Sequence, residues 1–515
     1  MPLDNASIEW ALSHLSTLGD SDLFPKPAEL EPLLAQIDDL KALLTSREVS
    51  QFAPNPARRF MVPKDEFSFR RATQLNIFDS VILTAIMHQY GAGIENRRHG
   101  VDEKIVFSYR YDPQPGFWLY SRDYDWTPFW KQCYEKSKNY SHALVLDISD
   151  FYNQIYHHTI ENQLVESGFP NPAIKWIMNL LESLTANVSR GIPVGPHAAH
   201  LLAEASLIPF DNSLKSHGID YVRFVDDIIV FDNGKLDCRK RLYQITDILD
   251  KQQRLILNKS KTLLRNQKEI QKLCSERIED RPINDLEKQL LGIIRKYSKG
   301  NPYQIVLLSE VAAEDLAQFR TEVLESILQE YLDARPIDFI RFRWFLRRLT
   351  QIGHPGAVYY CLKHLESLTP ALSDVCHYLL AASQNQNGEI PSVGKELVLA
   401  LDNELIRTND YFQICILSLF GRNAAYNHFP ILLERYGTGS SFIKREVILA
   451  ARCAHNSDWL RELKESFLGF ESWTSTAYLV AAKSLPEEER RFFINKLPKG
   501  NEYIELIKKW AKSKA

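Results

Sequence analysis

Residues 221 to 231 read YVRFVDDIIVF, and two adjacent carboxylates, Asp226 and Asp227, stand in the middle of this run of valine, isoleucine, phenylalanine and tyrosine. Such a run reads as a buried strand, where an unpaired charge is expensive. A second apolar, β-rich run, ALVLDI at 143–148, carries another carboxylate, Asp147. If the two segments are neighbours, Asp147 and Asp226 converge on one point. Converging carboxylates repel and persist best around bound cations, and hard oxygen ligands with open positions suit Mg²⁺. Two such ions roughly 3.5–4 Å apart can activate an attacking oxygen and stabilise a leaving one in phosphoryl transfer. The competing reading is a hairpin turn with solvated carboxylates.

The elements that must position these residues follow from pattern. A strand pair around YVRFVDDIIVF is bounded by Gly218 and by Asn233-Gly234, both turn signals. SHALVLDISDFYNQI joins a strand to a helix. A Gly/Pro loop, GIPVGP, precedes the helix AAHLLAEASLIPFDNSL; CRKRLYQITDILDKQQR is helical, and LILNKSKTLL reads as a further strand. Residues 1 to about 50 read as two helices. The first has Ile8, Ala11, Leu12 and Leu15 at helical spacing, with Asn5 or Ser7 as cap, and the second is ELEPLLAQIDDLKALLTS. A proline-bearing link, FAPNPARRFMVPK, opens the mixed region. From about residue 285 strand signals nearly vanish, and amphipathic helices separated by short polar turns suggest an α-solenoid of HEAT type, with a plain helical bundle as the competitor.

At 515 residues several domains are expected, each with a sizeable core. No apolar run approaches bilayer-spanning length, and the N-terminus lacks a basic stretch followed by a long apolar one, so a non-membrane, unsecreted protein is expected. The seven cysteines are scattered without a CxxC pair, which suits reduced thiols in a cytoplasm and offers no zinc site. The formal net charge of −3 means that any phosphate contact must come from a local patch.

LVLDISDFYNQI, RGIPVGPHAAHLLAE, YVRFVDDIIVF and LILNKSKT occur in the order of motifs A, B, C and D of reverse transcriptases. Upstream, FMVPKDEFSFRRATQLNIFDSVI resembles the fingers motifs of that superfamily. The resemblance covers about residues 58 to 265. Within the superfamily the chain is most similar to the bacterial abortive-infection (Abi) polymerases, through DISDFYNQIYHHTI, the GIPVG form of motif B and a long helical region where a thumb is expected. The implied fold is α+β: right-hand fingers and palm with an antiparallel palm sheet, followed by the all-α HEAT-like solenoid. The implied boundaries are 1–50, an N-terminal helical segment; 51–140, fingers-like; 141–280, palm with the motif B loop facing the fingers; and 281–515, helical repeats.

The resemblance implies that Asp147 and Asp226, with the Ile148 carbonyl, hold two Mg²⁺ ions (Mn²⁺ being the alternative), and that Asp227 supports the site. Phe151, Tyr152 and Gly195 fall at nucleotide-binding positions. A ring at Tyr152 under the sugar would clash with a 2′-hydroxyl and favour dNTP, whereas the competing role is helix packing. Glycines at 191 and 195 let the backbone approach a ligand. Val194 stands where templated reverse transcriptases commonly have glutamine, so template handling should differ.

Lys64, Arg70 and Arg71 are candidate triphosphate ligands, against a solvated basic surface. Lys261, with Lys259 as rival, is a candidate general acid towards pyrophosphate. His157 and His158 read as helix surface or core. RFRWFLRRL at 341–349 interleaves Arg341, Arg343, Arg347 and Arg348 with Trp344, which suits single-stranded DNA or a helix packing its aromatic face inward.

The Abi resemblance further implies template-independent, protein-primed DNA synthesis with the product attached to the protein, anti-phage defence in a bacterial or prophage setting, and a homo-oligomer. No tyrosine precedes Tyr90, and the priming hydroxyl stays open, the stretch FSYRYDPQPGFWLYSRDY being one source. The alternatives are a templated, retron-like RNA-directed DNA polymerase and a helical-repeat scaffold with an inactive polymerase portion.

Overall fold

The computed structural model describes residues 2–114, 118–278, 282–300, 304–385 and 390–514. Two compact units divide the chain: Met1–Ser21, Ile37–Arg58 and Thr73–Asp280 form the first, and Asp22–Gln36, Arg59–Ala72 and Arg281–Ala515 the second. Segments 22–36 and 59–72 therefore group with the C-terminal helices.

Helix α1 (Asn5–Thr17) is capped by Asp4, whose carboxylate accepts the Ser7 N–H at 2.6 Å, rather than by Asn5 or Ser7. The single helix expected next is two, α2 (Leu30–Ala35) and α3 (Ile37–Thr45), because Gln36 leaves helical geometry at φ −123° and ψ 40°. A hairpin follows, β1 (Arg58–Pro63) with β2 (Phe69–Gln74), and then α4 (Ile77–Glu95), capped by Asn76.

The centre of the first unit is an antiparallel sheet made of β3 (His142–Asp147), β4 (Asp220–Phe224), β5 (Asp227–Asp232) and β6 (Leu263–Asn266), in the order β4-β5-β3-β6. The architecture is α+β, as the sequence pattern requires. Side chains alternate along each strand. Ala143, Val222, Ile229 and Phe231 face a core completed by Phe129 and Trp130 of α5 (Trp126–Ser137) and by Ile270 of α11 (Gln267–Ile278). The intervening helices are α6 (Phe151–Gln154), α7 (His157–Glu166), α8 (Asn171–Leu184), α9 (Ala199–Ser216) and α10 (Lys235–Gln253), and α10 packs on β3 and β5. Of LILNKSKTLL only Leu263 and Leu264 lie in a strand. Residues 259–261 form a 3₁₀ turn capped by Asn258, and Leu257 makes an isolated bridge to Ile148.

In the second unit the described residues after Asp285 contain helices and no strand. Alternate helices pack in succession: Phe339–Ile352 on Leu372–Ser383, that on Asp410–Phe420, then Ser441–Cys453, Ser472–Ala481 and Glu502–Lys512. Arg445, buried among them, is paired with Glu29 at 2.6 Å and Glu446 at 2.5 Å. Among the described residues no helix is long and apolar enough to cross a membrane.

Candidate active site

The run YVRFVDDIIVF is the expected strand pair, antiparallel, and not a single buried strand. Val225 and Asp226 form the two-residue turn between β4 and β5, and Val225 takes φ +53°. A β-branched residue in that region is a backbone outlier and stores strain. The turn places Asp226 beside the end of β3, where the Ile148 N–H donates to the Asp226 carbonyl at 3.2 Å. Asp147 and Asp227 are register partners across β3 and β5, so both side chains leave the sheet on one face. Asp147 is buried, whereas Asp226 and Asp227 are half-buried.

Burial, then the charges of Asp226 and Asp147, push the Asp227 carboxyl up to about 7. Asp227 therefore lies in the field of both other aspartates. Lys261 answers it: its Nζ donates to Asp147 Oδ1 at 2.7 Å. Burial works against the ammonium, but that hydrogen bond and the fields of Asp147, Asp227 and Asp226 outweigh it and hold Lys261 above its ordinary value. Among the described residues Lys259 makes no such contact with Asp147, whose carbonyl accepts the Asn258 N–H at 2.7 Å.

Among the described residues no three His, Cys, Asp or Glu side chains form a cage for a metal ion. Mg²⁺ requires no such cage, since it binds through one or two carboxylates plus substrate phosphates and water. Strand-end carboxylates, with Asp227 raised by burial and then by the charges of Asp226 and Asp147, are a donor set whose chemistry fits such an ion.

Next to this cluster, α6 and the GIPVG loop are tied together. The Ile192 N–H donates to the Tyr152 carbonyl at 2.9 Å and the Gly191 N–H to the Ile155 carbonyl at 2.8 Å. Gly191 and Gly195 take φ +101° and +131°, the region that favours glycine. The Val194 carbonyl accepts the Thr73 N–H at 2.8 Å, and a Cβ on Gly195 would meet the Thr73 oxygen at 2.8 Å. Phe151 is buried, its ring 5.7 Å from that of Tyr152. Burial holds the Tyr152 phenol well above its ordinary value, and its hydroxyl is hydrogen-bonded with His200 Nδ1, 2.6 Å away. His200 in turn stacks on Tyr109, with ring centroids 4.1 Å apart and planes 3° apart. His200 lies in the motif B segment and Tyr109 in the stretch FSYRYDPQPGFWLYSRDY, but nothing in the sequence brings the two rings together.

His157 is buried with Nε2 on the Gly191 carbonyl at 2.9 Å, and His158 is exposed beside Glu161, the core and surface roles expected of them. Lys64 and Arg71 are exposed on the β1–β2 hairpin and Arg70 is half-buried there. Those three belong to the second unit, as do the arginines of RFRWFLRRL. Arg343 donates to the Pro370 carbonyl at 2.7 Å and Arg347 to Asp374 at 2.7 Å, while Arg348 lies over Trp344. Arg341 hydrogen-bonds Tyr331, and Phe342 and Phe345 are fully buried. These contacts are those of a helix packing its aromatic face inward. Of the stretch FSYRYDPQPGFWLYSRDY, residues 115–117 lie outside the described residues.

Residues 80–296 match the model of the family "Reverse transcriptase (RNA-dependent DNA polymerase)". No curated protein matches the sequence. Among solved structures, telomerase from Candida albicans, in complex with a TWJ fragment of telomeric RNA, is similar at 11% identity, with a TM-score of 0.29 over 80% of this chain and 71% of that one. A likeness of that level decides nothing about function. The family match spans motifs A to D and the whole aspartate cluster: residues 80–296 form a reverse transcriptase domain, and the chain is an enzyme of the nucleotidyltransferase class.

Proposed function

We propose that this enzyme is a DNA polymerase that adds dNTPs by two-metal phosphoryl transfer, without a template and from a hydroxyl of the protein itself, in abortive-infection defence against phage. The observation that carries the polymerase chemistry is the shared field of Asp147, Asp226 and Asp227 at the meeting point of β3 and the β4–β5 turn. Asp147 and Asp226, with the Ile148 carbonyl, would hold the ions, and Asp227 would add negative charge behind them. When bound, two Mg²⁺ ions activate the attacking hydroxyl and neutralise charge on the leaving oxygen. Lys261, kept protonated beside Asp147, would give a proton to the leaving pyrophosphate, a role supported by its contact with Asp147. Tyr152 and Gly195 would shape the sugar and base pocket. Lys64, Arg70 and Arg71 are proposed as phosphate ligands from their chemistry alone.

Template independence rests on the Abi-like motif style and on Val194, whose apolar side chain offers a nucleotide no hydrogen bond. The alternate-helix packing after residue 339 supports a helical-repeat domain of HEAT type. A covalently attached single-stranded DNA product and a homo-oligomer complete the reading.

The test is incubation of the purified protein with Mg²⁺ and labelled dNTPs, without template or primer, followed by a denaturing gel with and without protease. Label that migrates with the protein and shifts on proteolysis is expected, and Asp226→Asn should abolish it while the variant melts like the parent. A requirement for co-purified RNA would instead favour the retron-like alternative. Full incorporation by Asp226→Asn would sink the site itself.

A further inference from the structure

The turn that carries Asp226 is held from outside the strand pair, and both polar backbone groups of Val225 are held by side chains. Its N–H donates to Ser108 Oγ at 2.9 Å, and its carbonyl accepts Arg223 Nη1 at 3.0 Å. Neither partner is free to move. The Ser108 hydroxyl donates to Glu204 Oε1 at 2.6 Å, so its single proton is committed and its lone pair faces Val225. Arg223 donates to Glu204 Oε2 at 3.0 Å and to both oxygens of Asp211, at 2.9 and 2.5 Å. Arg98 adds a third donor to Glu204, at 2.8 Å. Ser108, Glu204 and Arg223 are each fully buried.

A charged network of this kind is weak grounds for stability, because burying its charges costs about what their attraction returns. What it does supply is a fixed direction. Val225 sits at φ +53°, a strained conformation that persists only where the surroundings over-determine it. Released from Ser108, the turn can relax towards a less strained form, and the carboxylate of the next residue turns with it.

We infer that Ser108, backed by Glu204 and Arg223, is a positioning residue that holds the strained Val225–Asp226 turn, and with it the Asp226 carboxylate, in its ion-binding orientation. This rests on the assignment of Asp226 as an ion ligand, and it gives roles to Ser108, in a loop 117 positions upstream and outside the motifs, to Glu204, at the end of the motif B segment on α9, and to Arg223, within the motif C run itself.

The test is steady-state dNTP incorporation by Ser108→Ala and Ser108→Thr, with a Mg²⁺ titration of each and a melting curve for each. Ser108→Ala should lower kcat about 10- to 100-fold, leave KM for dNTP within about twofold, and raise the Mg²⁺ concentration at half-maximal rate about threefold or more. Ser108→Thr keeps the hydroxyl and should recover most of the rate and the parental Mg²⁺ response. Assays are run at least ~10 °C below each variant's own melting midpoint, so that the folded population is compared. Parental kcat and Mg²⁺ response in a folded Ser108→Ala overturn the inference. So does a rate loss that follows only the melted fraction, with no change in Mg²⁺ response. Asp226→Asn in parallel separates the two levels: an active Asp226→Asn removes the ion-ligand assignment, whereas an inactive one beside an unaffected Ser108→Ala removes only the role of Ser108.

Discussion

Asp147 and Asp227 face each other across the β3–β5 ladder, with Asp226 on the adjoining turn, so three acidic residues stand where two strands end. Burial and its two acidic neighbours push Asp227 up to about 7 from an ordinary 3.8. Between those values the folded chain keeps a proton that the unfolded chain has released. Metal-free stability therefore falls as pH rises through this window and is at its lowest above about 7. Asp227→Asn removes the effect. In EDTA the variant should melt above the parent at pH 8, by an amount on the order of 2 kcal/mol once partial exposure is allowed for. The gap should shrink towards pH 4. Calorimetry across this range checks it, and a gap independent of pH would count against the shared field.

Lys261 is the counter-charge that the cluster carries within the chain, at 2.7 Å from Asp147. Its ammonium is held above its ordinary value against the pull of burial. Lys261→Ala should lower kcat about 10²-fold or more if the proton reaches pyrophosphate from this residue, with KM for dNTP little changed. Lys259→Ala should leave kcat near the parental value. Equal effects of the two substitutions would assign the loss to general surface charge instead.

The strand ALVLD and its carboxylate were legible because the run is apolar, β-rich and bounded. The partner strands were legible too, and a hairpin turn at the aspartates was one of the two readings, but the conformation of that turn was not legible. A two-residue hairpin turn is ordinarily marked by glycine or asparagine, and Val225-Asp226 carries neither mark. The conformation there is held by Arg223 of the same run together with Ser108 and Glu204, which the chain brings in from elsewhere, and such tertiary contacts leave no local pattern. The same holds for the break at Gln36, which sits within an unbroken helical periodicity. The cap of α1 was missed by a single residue, since Asp4, Asn5 and Ser7 are all good caps and only the backbone decides among them.

Gly195 is a position where backbone, not side chain, is at issue. At φ +131°, a Cβ would lie 2.8 Å from the Thr73 carbonyl and 3.2 Å from Ser21 Oγ, and the first of these is main chain that cannot swing away. Gly195→Ala should destabilise the fold by about 1–3 kcal/mol and loosen the Val194–Thr73 hydrogen bond. Thermal melting reads the first effect. Faster amide exchange at Thr73 reads the second, and an unchanged exchange rate would mean that the loop absorbs the methyl elsewhere.

Tyr152 and His200 set the last prediction. The phenol is held by a 2.6 Å hydrogen bond to Nδ1 of a ring that is itself stacked on Tyr109, so the aromatic plane has little freedom. If this ring bars a 2′-hydroxyl, Tyr152→Ala should raise the kcat/KM ratio for ribonucleotide over deoxyribonucleotide about 10- to 200-fold, the range for a filled against an emptied contact in a pocket. Tyr152→Phe keeps the ring but cuts its tether. It should relax discrimination by a smaller factor, because a ring free to tilt excludes the hydroxyl only part of the time. Parallel incorporation assays with dNTP and NTP pairs measure both ratios. If Tyr152→Ala leaves discrimination where it was, Tyr152 is a packing residue of α6 and the sugar is selected elsewhere; if Tyr152→Phe matches Tyr152→Ala, the hydrogen bond to His200, more than the bulk of the ring, sets the choice of sugar.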